Sequence, residues 1–278
     1  MIRFGPSGNE FGPTVDAPKW LRDMGLSALE LNFGRGVKTG TVTAQKIGEQ
    51  AREHNISISA HAPYYVNLCS ADPEYFKKSY AYIKSCFDVL KIINSSDGPH
   101  RVVVHIGSQC KLERSEAIKN CKANLKSVVE KLKKDGFTNF LLCIETMGRY
   151  KTIGNFQEIL DICGVSEQVI PCIDFGHINA WEQGSLQRNP ERMKEIIEEF
   201  HKTFPTRPLH IHFSAVTYTK AGEHAHTTLD DSKWNFPFEP LAKILCEKKL
   251  SPHIICESKN IMAQDAKKLF GIWKSLCL

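Results

Sequence analysis

Short apolar runs recur along the chain and alternate with longer stretches of helical period. Runs of four to eight apolar and β-branched residues between turn signals read as buried strands, and apolar residues spaced three and four apart read as helix faces. The strand candidates are Ile2 to Phe4, Ala28 to Phe33, Ile56 to Ala60, Arg101 to His105, Phe140 to Glu145, Ile170 to Asp174, Leu209 to Phe213 and Ile254 to Glu257. Helix candidates lie between them, near Ala17–Gly25, Thr43–His54, Pro73–Asn94, Arg114–Asp135, Asn155–Cys163, Pro190–Phe204 and Phe236–Lys249, with a last one near Ala263–Leu276. Eight strands, each followed by a helix, predict an α/β fold, a (β/α)₈ barrel closed in one domain over residues 1–278. An open doubly wound sheet is the alternative; it would leave two edges and spread the polar residues described below along a crevice. Thr43, Asp72 before Pro73 and Asn189 before Pro190 suit helix starts, and Gly25 and Gly136 suit helix ends.

The polar residues that interrupt this pattern are not scattered. His61 follows ISISA, His105 follows RVVV, Glu145 follows LLCI, Asp174 and His177 lie in CIDFGH, His212 lies in LHIH, and Glu257 follows IIC. In a barrel of this kind the C-terminal strand ends converge on one mouth, so these side chains would form a ring from strands three to eight. Imidazole mixed with carboxylate is a donor set for zinc, manganese or iron rather than for magnesium or calcium. The donors outnumber what one ion needs, which points to two or three metals with a bridging carboxylate. A lone histidine at a strand end is commonly a hydrogen-bonded structural residue. Three carboxylates buried at one mouth are harder to sustain without cations, since each costs several kcal/mol unpaired. His210 alternates with His212 and reads as a deeper core histidine; farther on, GEHAH offers Glu223, His224 and His226 in a Gly-led loop, with His226 the expected ligand.

Composition adds limits. The chain has 278 residues, 42% of them hydrophobic, enough for one large core. It has no apolar stretch of membrane-spanning length and no N-terminal signal pattern, so the expectation is a soluble, cytoplasmic protein with no membrane partner. Ten cysteines without a CxxC pair read as reduced, mostly buried thiols rather than disulfides or a cysteine zinc site. A net charge of +5 permits a polyanionic partner without demanding one.

Taken together, SAHAPYYVNL, VVVHIGS, IETMG, CIDFGH, IHFS, GEHAH and CES, in that order from residue 59 to residue 258, resemble the endonuclease IV family (apurinic/apyrimidinic endonuclease family 2) of the xylose isomerase-like TIM barrels. The resemblance implies three zinc ions: one held by His61, His105 and Glu145, a second sharing Glu145 and adding Asp174, His212 and Glu257, and a third on His177 and His226. The better-known members supply an aspartate to the third ion two residues before the final histidine. Here that position is His224, with an acid one residue earlier at Glu223. This departure leaves His224 and Glu223 as alternative ligands and manganese open at one site.

The implied activity is hydrolysis of the phosphodiester 5′ to an abasic site in double-stranded DNA, by a monomer acting in base excision repair. Glu145 or Glu257 would orient or deprotonate the attacking water. Tyr64 and Tyr65, with Arg35, would contact the distorted duplex, and Asn67 and Gly107–Ser108 would face phosphate. A metal-dependent sugar isomerase or epimerase on the same barrel is the alternative activity.

Overall fold

The computed structural model describes residues 1–95 and 98–277. Eight parallel strands form one sheet: β1 (Arg3–Pro6), β2 (Ala28–Asn32), β3 (Ser57–His61), β4 (His100–Val104), β5 (Phe140–Glu145), β6 (Val169–Asp174), β7 (His210–His212) and β10 (His253–Cys256). Their order is β1-β10-β7-β6-β5-β4-β3-β2, and a parallel bridge between Ser7 and Glu30 joins the first strand to the second and closes the barrel. The predicted (β/α)₈ architecture is therefore the observed one.

Helices α1 (Ala17–Asp23), α2 (Thr41–Glu53), α3 (Pro73–Ile93), α4 (Arg114–Lys134), α5 (Phe156–Cys163), α8 (Arg192–Thr203), α9 (Glu239–Glu247) and α10 (Met262–Cys277) follow the eight barrel strands in turn. Asp72 caps α3 by accepting from Glu74 N at 2.9 Å, as expected for an Asp-Pro start. Two expected starts shift. Helix α2 begins at Thr41 after Gly40, ahead of Thr43, and α8 begins at Arg192 after Glu191, beyond Asn189. Gly25 and Gly136 end α1 and α4 with φ of 83° each, a left-handed turn that a Cβ would strain.

Side chains alternate strictly along each strand, which sorts them into two cores. Leu29, Leu31, Ile58, Ala60, Val102, Val104, Leu142, Ile144, Ile173 and Ile211 belong to the large apolar cluster that also takes in the helix faces. Val103, Leu141, Cys143, Ile170 and Cys172 form a separate small cluster on the opposite side of the strands, inside the barrel. The inward set continues upward one pleat at a time, from Cys143 to Glu145 and from Cys172 to Asp174. The chemistry thus stands directly on a packed plug.

Two of the connections depart from the sequence expectation. Helices α6 (Phe175–Trp181) and α7 (Ser185–Arg188) fill the stretch after β6. The stretch read as a Gly-led loop is an antiparallel hairpin of β8 (Val216–Thr219) and β9 (Gly222–His226), set apart from the barrel sheet. It pairs with the loop after β5, where Arg149 bridges Gly222 and Glu223 N donates to Gly148 O at 2.9 Å. The ten cysteines are all free, and Cys86, Cys143, Cys172 and Cys256 are buried, as the composition suggested. Among the described residues, no helix is long and apolar enough to cross a membrane.

Candidate metal centre

Glu145 is the hub of the barrel mouth. It ends β5, is wholly buried, and uses both carboxylate oxygens. Oε2 lies 3.1 Å from His61 Nε2 and 2.8 Å from His105 Nε2; Oε1 lies 3.2 Å from His212 Nδ1 and 3.3 Å from His177 Nδ1. Parallel register sets this convergence, because Asp174 and His212 are direct neighbours across β6 and β7.

The donor atoms fall into three sets, each compact enough for one ion: His61, His105 and Glu145; Glu145, Asp174, His212 and Glu257; and His177, Glu223 and His226. Glu145 belongs to the first two, and Glu257 Oε2, 3.3 Å from His212 Nδ1, reaches to 3.9 Å from His226 Nε2 in the third. Eight of the nine ligand candidates named from the sequence are therefore brought together. His224 is not. It is exposed, 3.5 Å from Thr217 Oγ1, and Glu223 takes the place in the third set.

The reason is a β-bulge. Pairing runs Thr217 to Ala225 and then Tyr218 to Glu223, so His224 is the extra residue with no partner across the hairpin. A bulge resets the alternation, so Glu223 and His226, three residues apart, reach the same site while His224 turns outward. The Gly-led loop read from the sequence hid this reset.

Buried charge shows what the site demands. Burial opposes the charged form of Glu145, yet His105 and His212 outweigh it and hold the carboxyl well below its usual range. Glu257 is held down to about 2 against burial, mainly by His212. Asp174 is pushed up by burial and by the neighbouring Glu145 and Glu257, with His177 opposing. Burial would lower His177, but Asp174, Glu223 and Glu145 hold it well above its ordinary value; Glu145 likewise raises His61. The Asp174 Oδ2 atom is buried and accepts no hydrogen bond from any described residue. A buried carboxylate oxygen without a partner, beside two more carboxylates and imidazoles, fits divalent cations.

Second contacts orient the rings. His61 donates from Nδ1 to Ala62 O at 2.8 Å, His177 donates from Nδ1 to Thr146 O at 2.9 Å, and His226 Nδ1 lies 2.9 Å from Ser214 Oγ. Glu30 lies beneath the mouth, wholly buried in the middle of ALELN. Sequence reasoning missed it; an acid inside an apolar run was the available signal. His210 is the core histidine expected, 3.1 Å from Glu30 Oε2, and burial lowers it to about 4. Cys172, His210 and His212 also fall within reach of one point, but burial holds the Cys172 thiol well above its ordinary value and so protonated. That trio is core.

A cavity of about 460 Å³ opens over the donors, lined also by Asn32, Tyr64, Met147 and Arg149. Tyr64, 53% exposed, stacks on His105 at 5.3 Å between ring centres. Tyr65, 61% exposed, lies outside the cavity lining and leans towards Tyr82; Arg35 is exposed on the loop after β2 and likewise does not line the cavity. The Asn67 amide is taken up locally, with Oδ1 accepting from Cys69 N at 3.0 Å and Nδ2 donating to Cys110 Sγ at 3.2 Å. Gly107 packs against Asn67 with φ of 103°, and Ser108 bridges Thr152. Arg149, which the sequence did not single out, places its guanidinium 3.7 Å from Glu223.

Comparison with known proteins agrees with this geometry at the level of fold and family. The family described as xylose isomerase-like TIM barrel matches residues 18–275. An uncharacterized protein of Methanocaldococcus jannaschii is 30% identical over 99% of this chain and 98% of its own. A probable endonuclease 4 of Clostridium botulinum is 30% identical over 68% of this chain and 70% of its own. Among solved structures, a D-tagatose 3-epimerase-like protein superposes with a TM-score of 0.72 at 21% identity, covering 99% of this chain and 97% of that one. Endonuclease IV of Thermus thermophilus superposes with a TM-score of 0.68 at 15% identity, covering 99% and 98%. At such identities the two structures speak for the fold alone. The motif order, the matched family and the curated relatives place the chain in the apurinic/apyrimidinic endonuclease family 2 of xylose isomerase-like TIM barrels.

Proposed function

We propose that this protein is a zinc-dependent endonuclease that cleaves the phosphodiester 5′ to abasic sites in double-stranded DNA, acting as a monomer. The observation that carries this reading is the third donor set, His177, Glu223 and His226, added to two sets that already share Glu145. Single-cation chemistry has no use for it. When bound, three divalent ions supply a water of lowered pKa and charge neutralisation at the phosphate and the leaving 3′-oxygen. Zinc suits the imidazole-rich sets, and manganese remains open at the carboxylate-rich one.

The chain's own groups have separable roles. Glu145 has both oxygens committed to four histidines and no exposure, so it is a shared ligand. Glu257, 11% exposed and lining the cavity, is the carboxylate that can meet and orient a water. Tyr64 offers an aromatic face at the mouth for the bases beside the lesion. Arg35, Lys38, Lys111, Arg149, Lys151, Lys220, Lys233 and Lys259 are all exposed on loops at the mouth end of the strands, a basic rim suited to a phosphate backbone. Tyr65 and Arg35, away from the cavity, would serve on that rim.

The test is incision of a labelled duplex carrying one tetrahydrofuran abasic analogue, beside undamaged duplex and metal-stripped protein. Metal-dependent cutting only 5′ to the lesion is the expected result; intact strands with zinc-loaded, folded protein would sink the reading. One observation favours a second reading. The Glu145, Asp174, His212 and Glu257 set alone can hold one cation, with two glutamates facing each other as an acid/base pair for sugar isomerisation or epimerisation. Elemental analysis separates them: three zinc ions per chain for the nuclease, one ion for the isomerase.

A further inference from the structure

The metal-facing histidines are not all held alike. His61 and His177 donate from Nδ1 to backbone carbonyls and His226 Nδ1 is paired with the Ser214 hydroxyl, so each presents Nε2 to the site. His212 is turned the other way. Its Nδ1 faces Glu145 and Glu257 at 3.2 and 3.3 Å, and its Nε2 lies 3.0 Å from Glu30 Oε1, a close charge contact not aligned as a hydrogen bond. Neither Nε2 nor Oε1 has a hydrogen-bond partner among the described residues, so each is left to the other. Glu30 itself is clamped, because Oε2 accepts from Ser59 Oγ at 2.9 Å and lies 3.1 Å from His210 Nε2. It belongs to none of the three ligand sets and does not line the cavity.

We infer that Glu30 is a positioning residue that makes His212 an Nδ1 donor and gives the set of Glu145, Asp174, His212 and Glu257 the highest cation affinity of the three. The inference rests on the metal-binding reading above. A carboxylate behind a ligating imidazole takes its remaining N–H, fixes the tautomer and raises the basicity of the coordinating nitrogen. Among the described residues, only His212 of the ligand histidines is backed by a buried carboxylate that is not itself a ligand. Its set also carries three carboxylates, against one in each of the others, so the charge count gives the same order. Ser59 and His210, on β3 and β7, keep Glu30 from rotating away.

The experiment is zinc titration of metal-stripped wild type, Glu30→Gln and Glu30→Asp against a chromogenic chelator, with ¹⁵N NMR of the histidine rings in the zinc-loaded protein. The expected result is a tightest step weakened roughly 10–100-fold in Glu30→Gln, less in Glu30→Asp, with the weaker steps unmoved. NMR should find one ligand ring protonated at Nε2 and the rest at Nδ1. Unchanged binding constants with a lowered unfolding midpoint would overturn the proposal and leave Glu30 a structural counter-charge. Ligand rings all protonated at Nδ1 would overturn it too. If wild type takes up no zinc, the metal reading itself fails, a separate result. Should Glu30→Gln not fold, Ser59→Ala loosens the same carboxylate and must shift the tightest step in the same direction, by less.

Discussion

Glu223 Oε2 stands 3.5 Å from His177 Nε2, a contact possible only because the hairpin bulges at the residue between Glu223 and Ala225. The third donor set is therefore completed by the acid one position earlier than the resemblance implied. Glu223→Gln should lower the zinc content by one ion per chain, while His224→Ala should keep the full content, both read by elemental analysis after dialysis. A full complement in Glu223→Gln with a loss in His224→Ala would reverse the assignment.

Glu145→Gln should do more damage, since one residue serves two sets. Incision should fall by more than the roughly 10–100-fold that an outer-shell partner costs. The stabilisation gained on adding zinc, about 4 kcal/mol for wild type at a thousandfold excess over Kd, should shrink to a fraction of that. Thermal unfolding with and without zinc checks this, and an undiminished zinc shift would refute the bridging role.

The fold was legible where one physical signal dominated. LLCIE and VIPCID are apolar throughout because a parallel barrel buries both strand faces, and their terminal acids cannot be solvent-facing. Glu30 was illegible for a related reason: in ALELN it alternates with Leu29 and Leu31, as a solvent-facing acid would on a half-exposed strand. Only barrel closure shows that this face looks inward. VTYTKAGEHAH concealed its hairpin because a bulge breaks the period of two on which strand reading depends.

Metal-free and metal-loaded protein should respond oppositely to pH. His61 and His177 have raised values in the fold, so their contribution is fully present below the unfolded value of 6.5 and is lost as pH rises through the folded values. Metal-free protein should lose stability on alkalinisation above 6.5. Zinc must displace those protons, so its affinity should rise over the same interval, by about tenfold per pH unit for each proton released. Parallel pH trends for the two forms in calorimetry would contradict the proton–metal competition.

Tyr64→Ala should leave metal content intact but weaken binding and incision of lesion-containing duplex, by about 1–3 kcal/mol if a base stacks on the ring. Tyr64→Phe loses only a 3.4 Å contact from Asn32 Nδ2 and should stay close to wild type. Equal activity in Tyr64→Ala would place the duplex elsewhere on the mouth.

Barrel closure can be tested away from the chemistry. A Cβ at Gly5 would stand 1.8 Å from the Ala28 carbonyl oxygen, where β1 and β2 meet. Gly5→Ala should cost about 3 kcal/mol or more, at or above the upper end of overpacking costs. A denaturant midpoint close to wild type would show that the seam can open to admit a methyl group.

Two of the three donor sets are anchored on barrel strand ends, whereas Glu223 and His226 ride on a hairpin that pairs with none of the barrel strands. The third set is thus a detachable accessory. Changes of length or register confined to Val216–His226 can add or delete one donor set while the enclosing scaffold, its plug and the other donors stay as they are. The number of donor sets at the mouth is therefore separable from the fold that carries it.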